Sequence, residues 1–299
     1  MVIVEEPQPR TVRTARGRIV GYYEFGDRAG APVIALHGTP GSGAGFAWTD
    51  DAARTRGLRV IAPDRPGIGY SDRFESSGRL VVAHYADELV AFADALELER
   101  FPVLGYSGGA PYALAAAERR PDRVRAAAIV SGAGQIGEWA TLDDYEAADR
   151  QLTQLSLYAP ALARATFAAT AFLTRVAPSV ALRLVEHDLS ESDREVIKTF
   201  PSPRAALALF THAFMLRADG VVADYAALGR KWGFRVENIG VPVRLWHGTG
   251  DPVVPIRHSE ALCARVPGAR LVPWERAGHL AIIARIGEVL DGLIELTGE

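Results

Sequence analysis

Residues Gly105-Tyr106-Ser107-Gly108-Gly109 follow the apolar run Pro102–Leu104 and precede an alanine-rich stretch, Ala110–Arg120. A G-x-S-x-G at a strand-to-helix turn holds a serine in a tight, exposed bend, where bulkier neighbours would clash. The start of a helix adds amide donors and a positive dipole end, which favour a developing oxyanion. A serine hydroxyl is a weak nucleophile, so this chemistry also needs a base and a carboxylate to orient that base. His279 in Ala-Gly-His-Leu and Asp251 in Gly-Thr-Gly-Asp-Pro supply both, each just beyond an apolar run. The chain order Ser, Asp, His fits three groups at the carboxyl ends of parallel strands.

An oxyanion also needs backbone donors. The amide of Gly108, next after the serine, is one candidate. The glycine-rich run His37-Gly-Thr-Pro-Gly-Ser-Gly43 offers a second at Thr39, since Pro40 has no N–H to give. The same run only superficially resembles nucleotide-binding loops. Position 46 is Phe where a dinucleotide fingerprint needs glycine, and no Gly-Lys-Ser/Thr follows for a phosphate loop. Phe46 and Tyr106 flank these groups and are candidates for contact with substrate, together with Trp139.

Six other histidines compete with His279. His258 opens a helical stretch seven residues past Asp251 and is the best rival base. His37 follows a strand and is read as shaping its loop, and His247 lies on the strand leading to Asp251. His84, His187 and His212 fall in helical stretches. The rival acids are Glu138, Asp143 and Asp144, after an earlier strand. No H-x-x-x-H or H-E-x-x-H spacing occurs, so no metal site and no cofactor are expected.

The elements that must position these residues alternate. Ile19–Phe25, Val33–Leu36, Val60–Ala62, Val103–Leu104 and Ala126–Val130 read as strands, with His84–Leu98 an amphipathic helix among them. From about 137 to 235 the β-branched runs thin out and Pro160, Pro178, Pro201 and Pro203 punctuate helical sequence, predicted at 141–158, 160–175, 190–198, 203–217 and 221–230. The alternation returns with strands at Val241–Trp246 and Ala269–Pro273 and helices at Ser259–Val266 and Leu280–Leu296. The expected architecture is α/β, a mostly parallel central sheet with helices on both faces. Residues 1–136 and 236–299 form its core, and 137–235 form an inserted helical cap.

Composition narrows the function. A net charge of −3, with acidic and basic residues interspersed, gives no nucleic-acid footprint and no polybasic membrane patch. The single cysteine, Cys263, excludes an intrachain disulfide. The N-terminus lacks the pattern of a signal peptide and no run approaches a bilayer span, so a cytoplasmic protein acting on a small-molecule substrate is expected.

The runs His37–Ser42, Asp64-Arg-Pro-Gly-Ile-Gly-Tyr-Ser-Asp72 and Gly105–Gly109, with Asp251 and Gly278-His279, resemble the α/β-hydrolase superfamily. The capped branch is the nearest, with its esterases, proline iminopeptidase-like enzymes and C–C bond hydrolases. That resemblance implies Ser107, Asp251 and His279 as the triad, Thr39 and Gly108 as the oxyanion hole, and an architectural role for Asp64–Asp72. Haloalkane dehalogenases and epoxide hydrolases of this fold carry Asp where Ser107 stands. Proline iminopeptidases usually carry Trp after the nucleophile, and need cap carboxylates that Glu138, Glu186 or Glu191 would have to provide. The expected reaction is therefore hydrolysis of an uncharged ester or lactone. An aminopeptidase or C–C hydrolase is the alternative enzyme, and a catalytically silent ligand-binding protein the alternative outside enzymes. Trp139, Tyr145, Tyr158, Phe167, Phe172, Phe210, Phe214 and Trp232 are the aromatic residues available to line a pocket.

Overall fold

The structure is a computed structural model that describes residues 7–74 and 80–298. Its strands are β1 (Arg10–Arg13), β2 (Ile19–Gly26), β3 (Ala31–Leu36), β4 (Leu58–Pro63), β5 (Phe101–Tyr106), β6 (Val124–Val130), β7 (Val243–Gly248) and β8 (Arg270–Trp274). They form one sheet in the order β1-β2-β4-β3-β5-β6-β7-β8. The β1–β2 and β2–β4 pairs are antiparallel and all the others parallel.

Successive side chains of a strand point to opposite faces. On one face Ile34, Leu36, Val103, Ile129 and Leu245 are buried with Leu89, Phe92, Tyr112 and Leu262. On the other, Val33, Ala35, Leu104, Val130 and Trp246 are buried with Ala53, Ile282, Val289 and Leu293. Burial on both faces explains why the central strands read as continuous apolar runs rather than alternating ones.

The helices are α1 (Asp50–Thr55), α2 (Tyr85–Ala95), α3 (Ala110–Arg119), α4 (Ala147–Tyr158), α5 (Pro160–Val176), α6 (Pro178–His187), α7 (Glu191–Lys198), α8 (Pro203–Thr211), α9 (Asp219–Leu228), α10 (Arg257–Cys263) and α11 (Ala281–Thr297). Helices α4 to α9 interrupt the sheet between β6 and β7. Proline opens α5, α6 and α8, where its fixed φ suits the first turn and its missing N–H costs nothing. Pro160 and Pro178 also stop the helices before them, so α4, α5 and α6 are separate pieces. Its apolar faces meet the sheet domain: Ile68 is buried with Phe167, Phe214, Val221 and Tyr225, and Leu280 with Leu182, Ile197 and Leu207.

Two elements differ from expectation. The stretch 203–217 is helical only to Thr211, and 141–158 begins with a separate turn, Leu142–Asp144, before α4. Strand β1 and helix α6 had no clear signature in the sequence. Among the described residues no helix is long and apolar enough to cross a membrane.

Candidate active site

Strand β5 delivers Ser107 in a left-handed conformation, with φ of 52°. Non-glycine residues rarely occupy that region, and one held there by a sharp turn marks stored strain. The turn closes because position 109 is glycine: a Cβ there would run into the Leu36 carbonyl. Asp251 follows β7 and His279 follows β8, so all three groups stand at carboxyl ends of parallel strands.

The three meet. His279 Nε2 lies 2.9 Å from Ser107 Oγ, and His279 Nδ1 lies 2.7 Å from Asp251 Oδ2. An ionised carboxylate only accepts, so Nδ1 carries the proton and Nε2 presents its lone pair to the serine. Asp251 Oδ1 accepts the Val253 and Val254 amides, both at 2.9 Å. Burial pushes the Asp251 carboxyl up, but His279 and His247 outweigh it and hold the group well below the usual carboxylate range. Burial likewise opposes protonation of His279. Asp251 overcomes this, aided by Asp193 and Asp149, and the imidazole sits above its ordinary value.

The rival histidines point elsewhere. His258 Nδ1 accepts the Gly134 amide at 3.1 Å, and its Nε2 lies 3.0 Å from Asp144 Oδ2. Asp144 also accepts Arg257 at 2.6 Å, so this acid belongs to a separate cluster. His247 supports the site from behind, with Nδ1 2.7 Å from Ser259 Oγ and Nε2 2.7 Å from the Val254 carbonyl. His37 is buried, and burial with the Arg65 charge holds it well below its ordinary value. A neutral His37 can therefore accept the Arg65 amide at Nε2, 3.2 Å away, which ties down the loop that follows β3.

Carboxylates of the insertion reach into this machinery, and sequence reasoning did not find them. Asp193 on α7 accepts the His279 amide at 3.0 Å and the Leu280 amide at 2.7 Å. Tyr106 Oη donates to the His279 carbonyl at 3.2 Å, so the histidine's peptide unit is held from both ends. Gly278 makes the approach possible, because a Cβ there would collide with Asp193 and Ser190. Ser190 and Asp193 form a capping box, the one role their spacing announces.

Asp224 on α9 is the second such carboxylate. It pairs with Arg65 at 2.9 and 2.6 Å, both side chains being fully buried, and accepts Tyr112 Oη at 2.6 Å and Thr39 Oγ1 at 2.5 Å. Arg65 in turn donates to the Gly38 carbonyl at 2.9 Å and to the His37 carbonyl. Asp64 holds the Gly43 amide at 2.8 Å; burial pushes its carboxyl up to about 7.

A cavity of about 460 Å³ opens over Ser107 and His279. Phe46 and Tyr106 line it, as do Phe167, Phe210 and Phe214 from the insertion. Trp139 does not: it packs edge-on against Trp232, centroids 5.4 Å apart, beneath Arg265. Tyr158 and Phe172 face outward at 82% and 66% exposure. Among the described residues no lysine or arginine lines the cavity, whereas Glu146, Asp149 and Asp188 do. Glu138, Glu186 and Glu191 are absent from its wall. Asp149 accepts Tyr225 Oη at 2.6 Å, and burial pushes its carboxyl up. A second cavity, of about 40 Å³, lies beside Ser107, Thr39 and Gly108, and takes in Tyr145 and Trp232.

A strained serine after a central strand, a histidine and a carboxylate at neighbouring strand ends and a helical insertion above them define a class. Residues 31–285 match the family model for the alpha/beta hydrolase fold, and this chain belongs to that family. A 2-hydroxymuconate semialdehyde hydrolase from Pseudomonas sp. (strain CF600) is 39% identical over 110 residues, which is 36% of this chain and 38% of that enzyme. The alignment therefore spans little more than a third of that relative. The enol-lactonase from Burkholderia xenovorans LB400 superposes with a TM-score of 0.71 at 18% identity, over 97% of this chain and 100% of that one. An esterase from Exiguobacterium antarcticum superposes at 0.69 and 18% identity, over 98% of this chain and 100% of that one. At these identities the superpositions speak for the fold alone.

Proposed function

We propose that this protein is a serine hydrolase that cleaves an uncharged carboxylic ester or lactone of small to medium size, with residues 137–235 as the cap over its pocket. The observation that carries the reading is the hydrogen-bonded line Ser107–His279–Asp251 at the floor of a largely apolar chamber that no lysine or arginine lines among the described residues. His279 takes the Ser107 proton as Oγ attacks the carbonyl, and Asp251 fixes the tautomer and stabilises the imidazolium. The Gly108 and Thr39 amides receive the oxyanion. In support, a Cβ on Gly108 would meet the Thr39 side chain, so the two segments are in contact. His279 then protonates the leaving alcohol, and water attacks the acyl-enzyme by the same route.

The chamber argues on substrate charge. A carboxylate-bearing substrate would enter without a compensating lysine or arginine, at a desolvation cost of several kcal/mol. The relative named for 2-hydroxymuconate semialdehyde is named for such an acid, so similarity over a third of its length does not outweigh the lining. The three carboxylates instead favour a second reading, an aminopeptidase that binds a substrate ammonium. One matched pair decides between them: an uncharged ester and its α-amino analogue. We expect a higher kcat/KM for the ester. A preference for the amine, abolished by Asp149→Asn or Asp188→Asn, would make the protein a peptidase.

Asp193 is a positioning residue in this scheme. Losing a charge-assisted hydrogen bond costs about 1.5–3 kcal/mol, so Asp193→Asn should lower kcat roughly ten- to hundredfold with KM little changed. Its negative charge helps to raise the His279 pKa, so the acidic limb of the pH–rate profile should move to lower pH. A variant with reduced kcat and an unmoved limb would assign Asp193 to folding alone.

A further inference from the structure

The two cavities share Ser107, Thr39, Asp149 and Tyr225 but divide the rest of the machinery. His279 lines only the large one, and Gly108 only the small one. Resting on the serine-hydrolase reading, we propose that the small cavity is the acyl site, and that the substrates are short-chain acyl esters of bulky apolar alcohols.

The argument follows from where the atoms of a tetrahedral intermediate must go. Its oxyanion points to the Gly108 and Thr39 amides, and its leaving oxygen must face His279, which protonates it. The alcohol portion therefore extends into the chamber that contains His279. The acyl substituent is left with the small cavity, the one of the two that His279 does not line. That space is about 40 Å³, against about 460 Å³ for the chamber. The small cavity has less than a tenth of the chamber's volume, so it suits a short acyl chain and not a long one.

The walls of the small cavity are fixed. Tyr145 Oη donates to the Gly134 carbonyl at 3.2 Å, and Tyr225 Oη to Asp149 at 2.6 Å. Trp232 is 1% exposed. Leu228, the last residue of α9, is the removable part of the wall: its Cδ1 would lie 3.1 Å from a Cβ on Gly108. A longer acyl chain must displace these packed groups, whereas a longer alcohol enters open space.

Two ester series test this. With p-nitrophenol as the fixed leaving group, kcat/KM should fall at least about a hundredfold between butanoate and octanoate, the scale on which pockets reject extra methylenes. With acetate as the fixed acyl group, kcat/KM should hold or rise from methyl to octyl and 2-naphthyl acetates. Leu228→Ala should move the acyl cut-off outward by at least two carbons while leaving the acetate series in order. The wild-type series stands without the variant should that fail to fold. A flat or inverted acyl dependence, with Ser107 still labelled by a fluorophosphonate, would overturn the assignment of the two cavities alone. Failure to cleave either series, with no label on Ser107, would overturn the serine-hydrolase reading and this inference with it.

Discussion

Ser107→Ala is expected to take up no fluorophosphonate and to lose hydrolysis by roughly a millionfold, the scale on which removal of a triad nucleophile is felt. The wild-type protein should gain one phosphonyl group, read by intact mass, and lose activity in step. The expectation rests on geometry: Ser107 is held at φ 52° with its Oγ 2.9 Å from His279 Nε2. Removing the hydroxyl leaves the strained turn and the chamber in place but removes the atom that attacks. Labelling of the alanine variant at the wild-type rate would transfer the nucleophile to another residue.

Asp251→Asn should fold and lose about ten-thousandfold in kcat, because the amide would stabilise the wrong tautomer of His279. His279→Ala should lose at least as much, while His258→Ala, whose ring faces Asp144 and the Gly134 amide, should stay within about tenfold. The pH profile supplies the sign. His279 acts as a base only when neutral, and its pKa is raised, so activity should fall as pH drops through a value above the ordinary histidine pKa of about 6.5. Residual activity of Asp251→Asn should show that limb at lower pH, since the carboxylate does most to raise it. Full activity in Asp251→Asn with none in Glu138→Gln would move the acid to the earlier strand.

The sheet was legible because its central strands are buried on both faces, and Val, Ile, Leu and Ala therefore run together. The edge strand β1 was not: three of its four residues are exposed, and its Arg-Thr-Val-Arg shows no apolar pattern. Helix α6 was hidden because only Ala177 separates the end of α5 from Pro178, so that two helices share one proline-broken stretch. At the candidate site, Ser107, Asp251 and His279 could be named from the sequence because each lies just past a strand and their chain order constrains them. Asp149, Asp193 and Asp224 were invisible for a physical reason. On a helix of mixed composition a lone carboxylate reads as solvated, and only the fold reveals that its face is turned inward. Trp139 illustrates the reverse: a large aromatic in the insertion that packs on Trp232 instead of entering the chamber.

The joints made by Asp193 and Asp224 have a consequence for how a ligand gets in and out. A hinged door that swung away as one body would break the buried Asp224–Arg65 pair and strip the His279 and Leu280 amides of their acceptor. The door would take the bolt with it. That favours entry past helices that, among the described residues, carry no such joint. Helices α5 and α6 fit that part: they present Leu162, Phe172, Val176 and Val180 to the outside and Phe167, Leu173 and Val185 to the chamber. On the proposed reading, opening and chemistry fall to different halves of the same insertion, so that a substrate can arrive without His279 ever being let go.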